Sequence, residues 1–112
     1  MEVYINDIAA FLPNDPVTND EIEDVLGKIH DTRSRVKSRV LKSNGIRLRY
    51  YAIDRKTGKL NYSNAQLTAE AVRHLKPYAN FSIRDIQCLC CGTSMPDVIA
   101  PGHGLMVAGE LG

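Results

Sequence analysis

Three cysteines fall within four positions, at Cys88, Cys90 and Cys91, and the chain has no others. Thiols this close could supply a nucleophile or metal ligands, since the thiolate does both jobs. A zinc site usually needs four ligands, often as paired Cys-x-x-Cys steps. The run Cys88-Leu89-Cys90-Cys91 offers neither that spacing nor a second pair. On a strand, Cys88 and Cys90 would face one side and Cys91 the other. We read all three as small buried residues of a core strand and assign no metal site. His103 stands between Gly102 and Gly104. It could be a ligand or a base, but an interface position is preferred, with the glycines permitting close backbone approach. His30 and His74 have no partner by sequence and are placed on the surface.

The other chemically suggestive feature is charge. Formal net charge is only +1, yet Arg33, Arg35, Lys37, Arg39, Lys42, Arg47 and Arg49 follow one another with no acid between Thr32 and Ile53. Arginine forks and lysines suit phosphate and carboxylate partners. A solvated helix face is the simpler reading of the same charges. Nucleic acid ranks last, because no aromatic residue interleaves the block before Tyr50-Tyr51 and no nucleic-acid motif is present.

Composition bounds the rest. Apolar residues make up 44% of the 112 positions, too many for a disordered chain. No run of about 18 apolar residues marks a membrane span. Met1 to Ile5 lacks a basic leader, and an odd, clustered set of cysteines fits a reducing compartment, so a cytoplasmic location is expected.

These residues need elements to hold them. Val3, Ile5, Ile8 and Phe11 predict a strand over residues 2–11, ended by Leu12-Pro13-Asn14-Asp15-Pro16. Thr18 followed by Glu21 predicts a capped helix start, with Ile22, Val25, Leu26 and Ile29 as its buried stripe. The block from Arg33 to Lys42 can continue as a helix, broken at Ser43-Asn44-Gly45 with Gly45 as a left-handed cap. Ile46 to Ile53 reads as a short strand or extended arm, and Asp54 to Gly58 as a turn. A second helix is expected from about Ser63 to Tyr78, then a buried strand from Ile86 to Gly92. Pro101 marks the start of a third helix that exits at Leu111-Gly112. The alternation predicts an α/β layered structure whose sheet is at least partly parallel.

The last third carries a family resemblance. Ile86 to Gly92, then Thr93-Ser94-Met95-Pro96-Asp97, then Pro101 and a helix ending Glu110-Leu111-Gly112, resembles ketoacyl-acyl-carrier-protein synthase III. Thr18-Asn19 opening an acidic helix is similar to that family's Thr-Asn start. Asn44-Gly45-Ile46-Arg47-Leu48-Arg49 is similar to its Thr-Gly-Ile-x-x-Arg segment. The matches keep the family's order across nearly the whole chain. The resemblance implies the amino-terminal portion of a thiolase-like layered fold over residues 1–112, an incomplete mixed sheet with helices packed on it.

It also implies an acyltransferase. A cysteine attacks an acyl thioester, and the acyl-enzyme condenses with a second acyl thioester, by a decarboxylative or Claisen-type step, in fatty-acid or related lipid or polyketide biosynthesis. In the family that cysteine and its His and Asn or His partners lie in segments with no counterpart among residues 1–112. No catalytic residue is therefore assigned, the chain alone is expected to be inactive, and no cofactor is implied. Arg39, Asn44, Arg47 and Arg49 are the candidates to face an acyl carrier protein or a coenzyme A thioester. Ala100 and Pro101 match the region that meets the dimer partner near its acyl pocket, where an alanine leaves room for longer chains. A homodimer or heterodimer is implied. The family's better-known members stack a tryptophan on the coenzyme A adenine, and this chain has no tryptophan. A member joining carrier-bound or fatty acyl chains fits that departure. A non-catalytic thiolase-fold partner subunit and a basic module binding nucleic acid are the competing readings. A thiolase-like sheet without its second half leaves apolar faces exposed, so the chain is expected to self-associate. Light scattering at micromolar concentration checks this, and a clean monomer would count against it.

Overall fold

A computed structural model describes every residue from Met1 to Gly112. It is a mixed α/β structure with four α-helices and one two-stranded antiparallel sheet. The elements run β1 (Val17–Thr18), α1 (Ile22–Leu26), α2 (Lys37–Asn44), β2 (Leu48–Arg49), α3 (Asn64–Arg73), a 3-10 turn (Ile83–Asp85) and α4 (His103–Leu111). Two compact units divide them: Met1–Leu12 with Tyr62–Gly112, and Pro13–Asn61.

The first of these units is built on the contact of α3 with α4. Ser63 caps α3 reciprocally with Gln66, its hydroxyl accepting the Gln66 N–H at 3.1 Å while the Gln66 side chain accepts the Ser63 N–H at 3.0 Å. Ala65 and Ala69 are one turn apart and share a face. Both are buried and form the core with Val107 of α4, with half-buried Leu89, Cys91, Met106 and Leu111 packed around them. The helix ends at Arg73 rather than near Tyr78. Pro77 disfavours helical backbone at the residue before it, and the Lys76 N–H donates to Asp7 Oδ2 at 2.6 Å instead.

Two expected strands of this unit do not form. Residues 2–11 make no ladder, and Val3, Ile5 and Ile8 are all more than 80% exposed. The segment is tethered by polar and aromatic contacts. Asp7 takes the Lys76 amide, the Ala10 carbonyl meets His74 Nδ1 at 3.0 Å, and Phe11 stacks edge-on against Tyr62 and His74. Residues 86–92 likewise have no strand partner. They keep the side-chain alternation of a strand, however: Leu89 and Cys91 pack on the core while Cys88 and Cys90 are exposed. Alternation follows from extended backbone alone, whereas a strand also needs a neighbour for its N–H and C=O groups.

The second unit holds together differently. Val17 and Pro13 are its only buried residues. Val17 pairs with Arg49 and Thr18 with Leu48, antiparallel, so the expected parallel sheet is not what these strands make. Helix α1 stops at Gly27, whose φ of 82° lies in the glycine-favoured region. Ile29 therefore leaves the helical stripe predicted for it. It opens a tight turn with positive φ at both His30 and Asp31, the type I′ pattern, closed by the Thr32 N–H on the Ile29 carbonyl at 3.1 Å. Gly45 ends α2 in the left-handed region, as its sequence context predicts. A small hairpin follows. Ile53 bridges Leu60, and Asp54 Oδ1 accepts the Lys56 and Thr57 amides at 2.7 and 2.9 Å.

Val107 is the one large side chain wholly enclosed at the α3–α4 contact. Val107→Ala is expected to destabilise the fold by about 2 kcal/mol, from lost apolar burial and the cavity left behind. Leu105→Ala, at an exposed position of the same helix, should change stability by less than about 0.5 kcal/mol. Urea unfolding followed by far-ultraviolet circular dichroism separates the two.

Candidate functional site

The residues that carried the family resemblance fall into two groups, one in each unit. In the Pro13–Asn61 unit, Thr18-Asn19 and Gly45-Ile46-Arg47-Leu48-Arg49 come together. The Asn19 amide donates to the Ile46 carbonyl at 3.0 Å, and Arg49 Nη1 donates to Asn19 Oδ1 at 2.6 Å. One side chain thus bridges both segments through its donor and its acceptor. The β1–β2 pairing of Thr18 with Leu48 runs beside this clasp.

Thr18 does not cap α1 in the expected sense. Instead its N–H and hydroxyl both donate to Glu21 Oε2, at 2.9 and 2.7 Å. The Thr18 hydroxyl, then the Thr18 amide, hold the Glu21 carboxyl below its ordinary pKa, and Arg55 at 3.4 Å adds to this. Glu23 is lowered mainly by the Ser34 amide at 2.9 Å, with Lys37 at 3.4 Å contributing.

The four candidates to face a carrier or coenzyme differ in what they are doing. Asn44 is occupied locally, its Oδ1 accepting the Ile46 N–H at 2.9 Å. Arg49 is half-buried and positioned by Asn19. Arg39 and Arg47 are exposed and make neither an ion pair nor a side-chain hydrogen bond. Of the basic block, only Lys37 forms an ion pair, although Arg33 also helps to lower the Glu23 pKa.

In the other unit, Asp97 of the Thr-Ser-x-x-Asp loop anchors the start of α3. Its two carboxylate oxygens accept the Asn64 N–H at 2.8 Å and the Ala65 N–H at 2.9 Å. The Asn64 side chain donates in turn to the Met95 carbonyl. These are free amide donors at the positive end of a helix, where a carboxylate is favoured. Asn64 and Ala65 hold the Asp97 pKa below the usual aspartate range, with nearby His103 adding a smaller effect. Nothing in the sequence distance between Ser63 and Asp97 announces this clamp.

His103 is the buried polar residue of the unit, 9% exposed. It lies between α3 and α4, where Nε2 meets Thr68 Oγ1 at 3.1 Å. The Thr68 hydroxyl already donates to the Asn64 carbonyl at 3.0 Å. A hydroxyl has one proton, so the imidazole donates from Nε2, and Nδ1 is left without a hydrogen-bond partner. The flanking glycines are not what seats it. A Cβ on Gly102 would meet nothing, and one on Gly104 would make an ordinary contact with Cys91 Cβ at 3.9 Å. Ala100 and Pro101 are exposed and joined by a cis peptide bond, two residues ahead of α4.

The cysteines are less buried than their sequence suggests. Cys88 and Cys90 are exposed and their sulfurs lie 3.7 Å apart. The Cys90 thiol raises the Cys88 pKa, which works against the thiolate that a nucleophile needs. No cluster of three or more His, Cys, Asp or Glu residues is placed to hold a metal ion, and no helix is long and apolar enough to cross a membrane. No protein-family model and no curated protein matches this chain.

Asp97→Ala should cost about 1 kcal/mol, the ordinary value of a helix cap. The pH dependence follows from the lowered native pKa. Its contribution is whole above the ordinary aspartate range and is lost as acid takes the pH down through the native value. Acid titration of the unfolding midpoint, wild type against Asp97→Ala, is expected to converge at low pH.

Proposed function

We propose that this chain is the amino-terminal scaffold of a ketoacyl-acyl-carrier-protein synthase III-like condensing enzyme, an acyltransferase that joins two acyl thioesters in fatty-acid or related lipid or polyketide synthesis. The observation that carries the reading is the Asn19 clasp. Two segments that resemble the family separately, Thr18-Asn19 and Gly45 to Arg49, are bridged by one side chain. The clamp of Asp97 on α3 supports it by giving the third matching segment a structural role.

In this reading Arg39 and Arg47 are the cations open to a carrier's acidic surface or to a coenzyme's phosphates. Arg49 is held ready by Asn19, and Asn44 shapes the turn that presents them. Ala100 and Pro101, exposed ahead of α4, meet the partner subunit of a homodimer or heterodimer. Residues 2–11 and 86–92, which have no ladder here, take their strand partners from the remainder of the thiolase-like sheet. The covalent chemistry belongs to a cysteine outside this chain. Its thiolate attacks the acyl carbonyl and expels the donor thiol, and the second substrate's carbanion then displaces the cysteine from the acyl group.

The isolated chain is expected to show no condensation with acyl carrier or acyl-coenzyme A thioesters. In the parent polypeptide, a cysteine about a dozen residues beyond Gly112 should gain an acyl mass from such a thioester, and its alanine variant should be inactive. A parent lacking that cysteine would leave the non-catalytic partner subunit as the better reading. An acyl adduct on Cys88, Cys90 or Cys91 would overturn the assignment of chemistry to another segment.

A further inference from the structure

Cys88 and Cys90 belong neither to the core nor to the proposed condensation, yet they are two nucleophilic side chains in direct contact. Their sulfurs lie 3.7 Å apart, and both residues are exposed. They share an open cleft of about 440 Å³ with Tyr4, Ile5 and Phe81. A small molecule can therefore reach either sulfur. Cys91 is turned the other way and packs on the core beside Leu89.

Pairing decides what these thiols can do. Two sulfurs fall short of the four ligands that zinc takes, and Cys91 does not make a third. Two thiols in contact do suit exchange with a disulfide. One thiolate attacks a sulfur of a small disulfide, forming a mixed disulfide and expelling half of the reagent, which leaves as a thiol. The second protein thiol gives up its proton and attacks the protein sulfur of that mixed disulfide. The Cys88–Cys90 bond closes and the other half of the reagent leaves as a second thiol. Two protons and two electrons have passed from the chain to the reagent. The backbone permits the closure. Residues two apart span at most about 7 Å, so a modest bend at Leu89 brings their α-carbons within the roughly 4.4–6.8 Å that a disulfide takes. So short a ring is strained, and strained, exposed disulfides are the readily reduced ones. In a reducing compartment such bonds are transient and redox-sensing.

We propose that Cys88 and Cys90 form a thiol–disulfide exchange site that takes low-molecular-weight disulfides and closes reversibly on itself. The inference uses only these two thiols, so it stands or falls apart from the condensing-enzyme reading. Acyl transfer would add an acyl mass, whereas exchange removes two hydrogens. Strand partners beside residues 86–92 would pair the backbone edge-on and leave the side-chain faces as they are. The probe is hydroxyethyl disulfide, added to the reduced chain. Because the Cys90 thiol raises the Cys88 pKa, the reaction is run at about pH 8.5, where an ordinary thiol is half ionised. Intact mass should show a chain lighter by two hydrogens with no hydroxyethylthio group retained. Alkylation after unfolding should then label Cys91 alone, and dithiothreitol should restore all three thiols. Cys88→Ser and Cys90→Ser should each stop at the mixed disulfide and keep one hydroxyethylthio group. Both positions are exposed, and circular dichroism checks that the variants fold. Should a variant unfold, the alkylation pattern of the wild type decides. The proposal is overturned if the wild type keeps the adduct as the variants do, or if either folded variant releases it. It is also overturned if Cys88 or Cys90 is the residue alkylated, if the new bond joins two chains on a non-reducing gel, or if no thiol reacts.

Discussion

The contact of α3 with α4 sets the geometry of its unit, and it depends on two alanines. Ala65 and Ala69 present only methyl groups to α4, so Val107 can seat directly between the helices. With larger residues there, the helix axes would have to separate by the added width. That separation would also pull Thr68 away from His103, since Thr68 stands three residues after Ala65 on the same side of α3. The loop from Asp97 to His103 is thus fixed at both ends, by a carboxylate on the amides of α3 and by an imidazole beside α3's hydroxyl. Ala100 and Pro101 sit in the short exposed span between those anchors.

The Pro13–Asn61 unit reaches a defined arrangement with almost no buried apolar side chain. Asn14 donates to the Tyr51 carbonyl at 2.7 Å and exchanges side-chain hydrogen bonds with Asn61. Arg55 donates to the Pro16 carbonyl at 3.1 Å, and Asn19 closes the β1–β2 end. Each such bond is directional but contributes only about 1 kcal/mol net, because water competes for the same groups. Polar contacts therefore specify which segments meet, while leaving local stability low. The same arrangement leaves Leu26, Val36 and Val40 exposed, because this unit has little interior to draw them into.

The legible parts of the sequence were those fixed by local chemistry. The helix start at about Ser63, the left-handed Gly45 after α2, the turn at Asp54 to Gly58 and the start of α4 just after Pro101 all follow from residues a few positions apart. The illegible parts needed a distant partner. Apolar residues such as Val3, Ile5 and Ile8 make a strand only if another strand supplies the ladder, and none does here. Ile29 fits the helical period of Ile22, Val25 and Leu26, but Gly27 ends the helix first, and His and Asp at the next turn tolerate positive φ. The Asp97 clamp and the Thr68–His103 bond join residues more than thirty positions apart, so no window of sequence contains them.

In the basic segment, Arg49 is the guanidinium that the fold holds in place. Arg49 has five N–H donors, and its side-chain bond to Asn19 engages one nitrogen of the guanidinium. The fork is held in place while its charge is left uncompensated, since Asn19 is neutral and no acid pairs with Arg49. A fixed guanidinium loses less freedom on meeting a phosphate or carboxylate than a free one. Arg39 and Arg47 lack that support and would have to be ordered by whatever they bind. Under the proposed function, Arg49 would therefore be the residue of the basic segment best arranged for geometric selection of an anionic group, and the free arginines would draw a partner in.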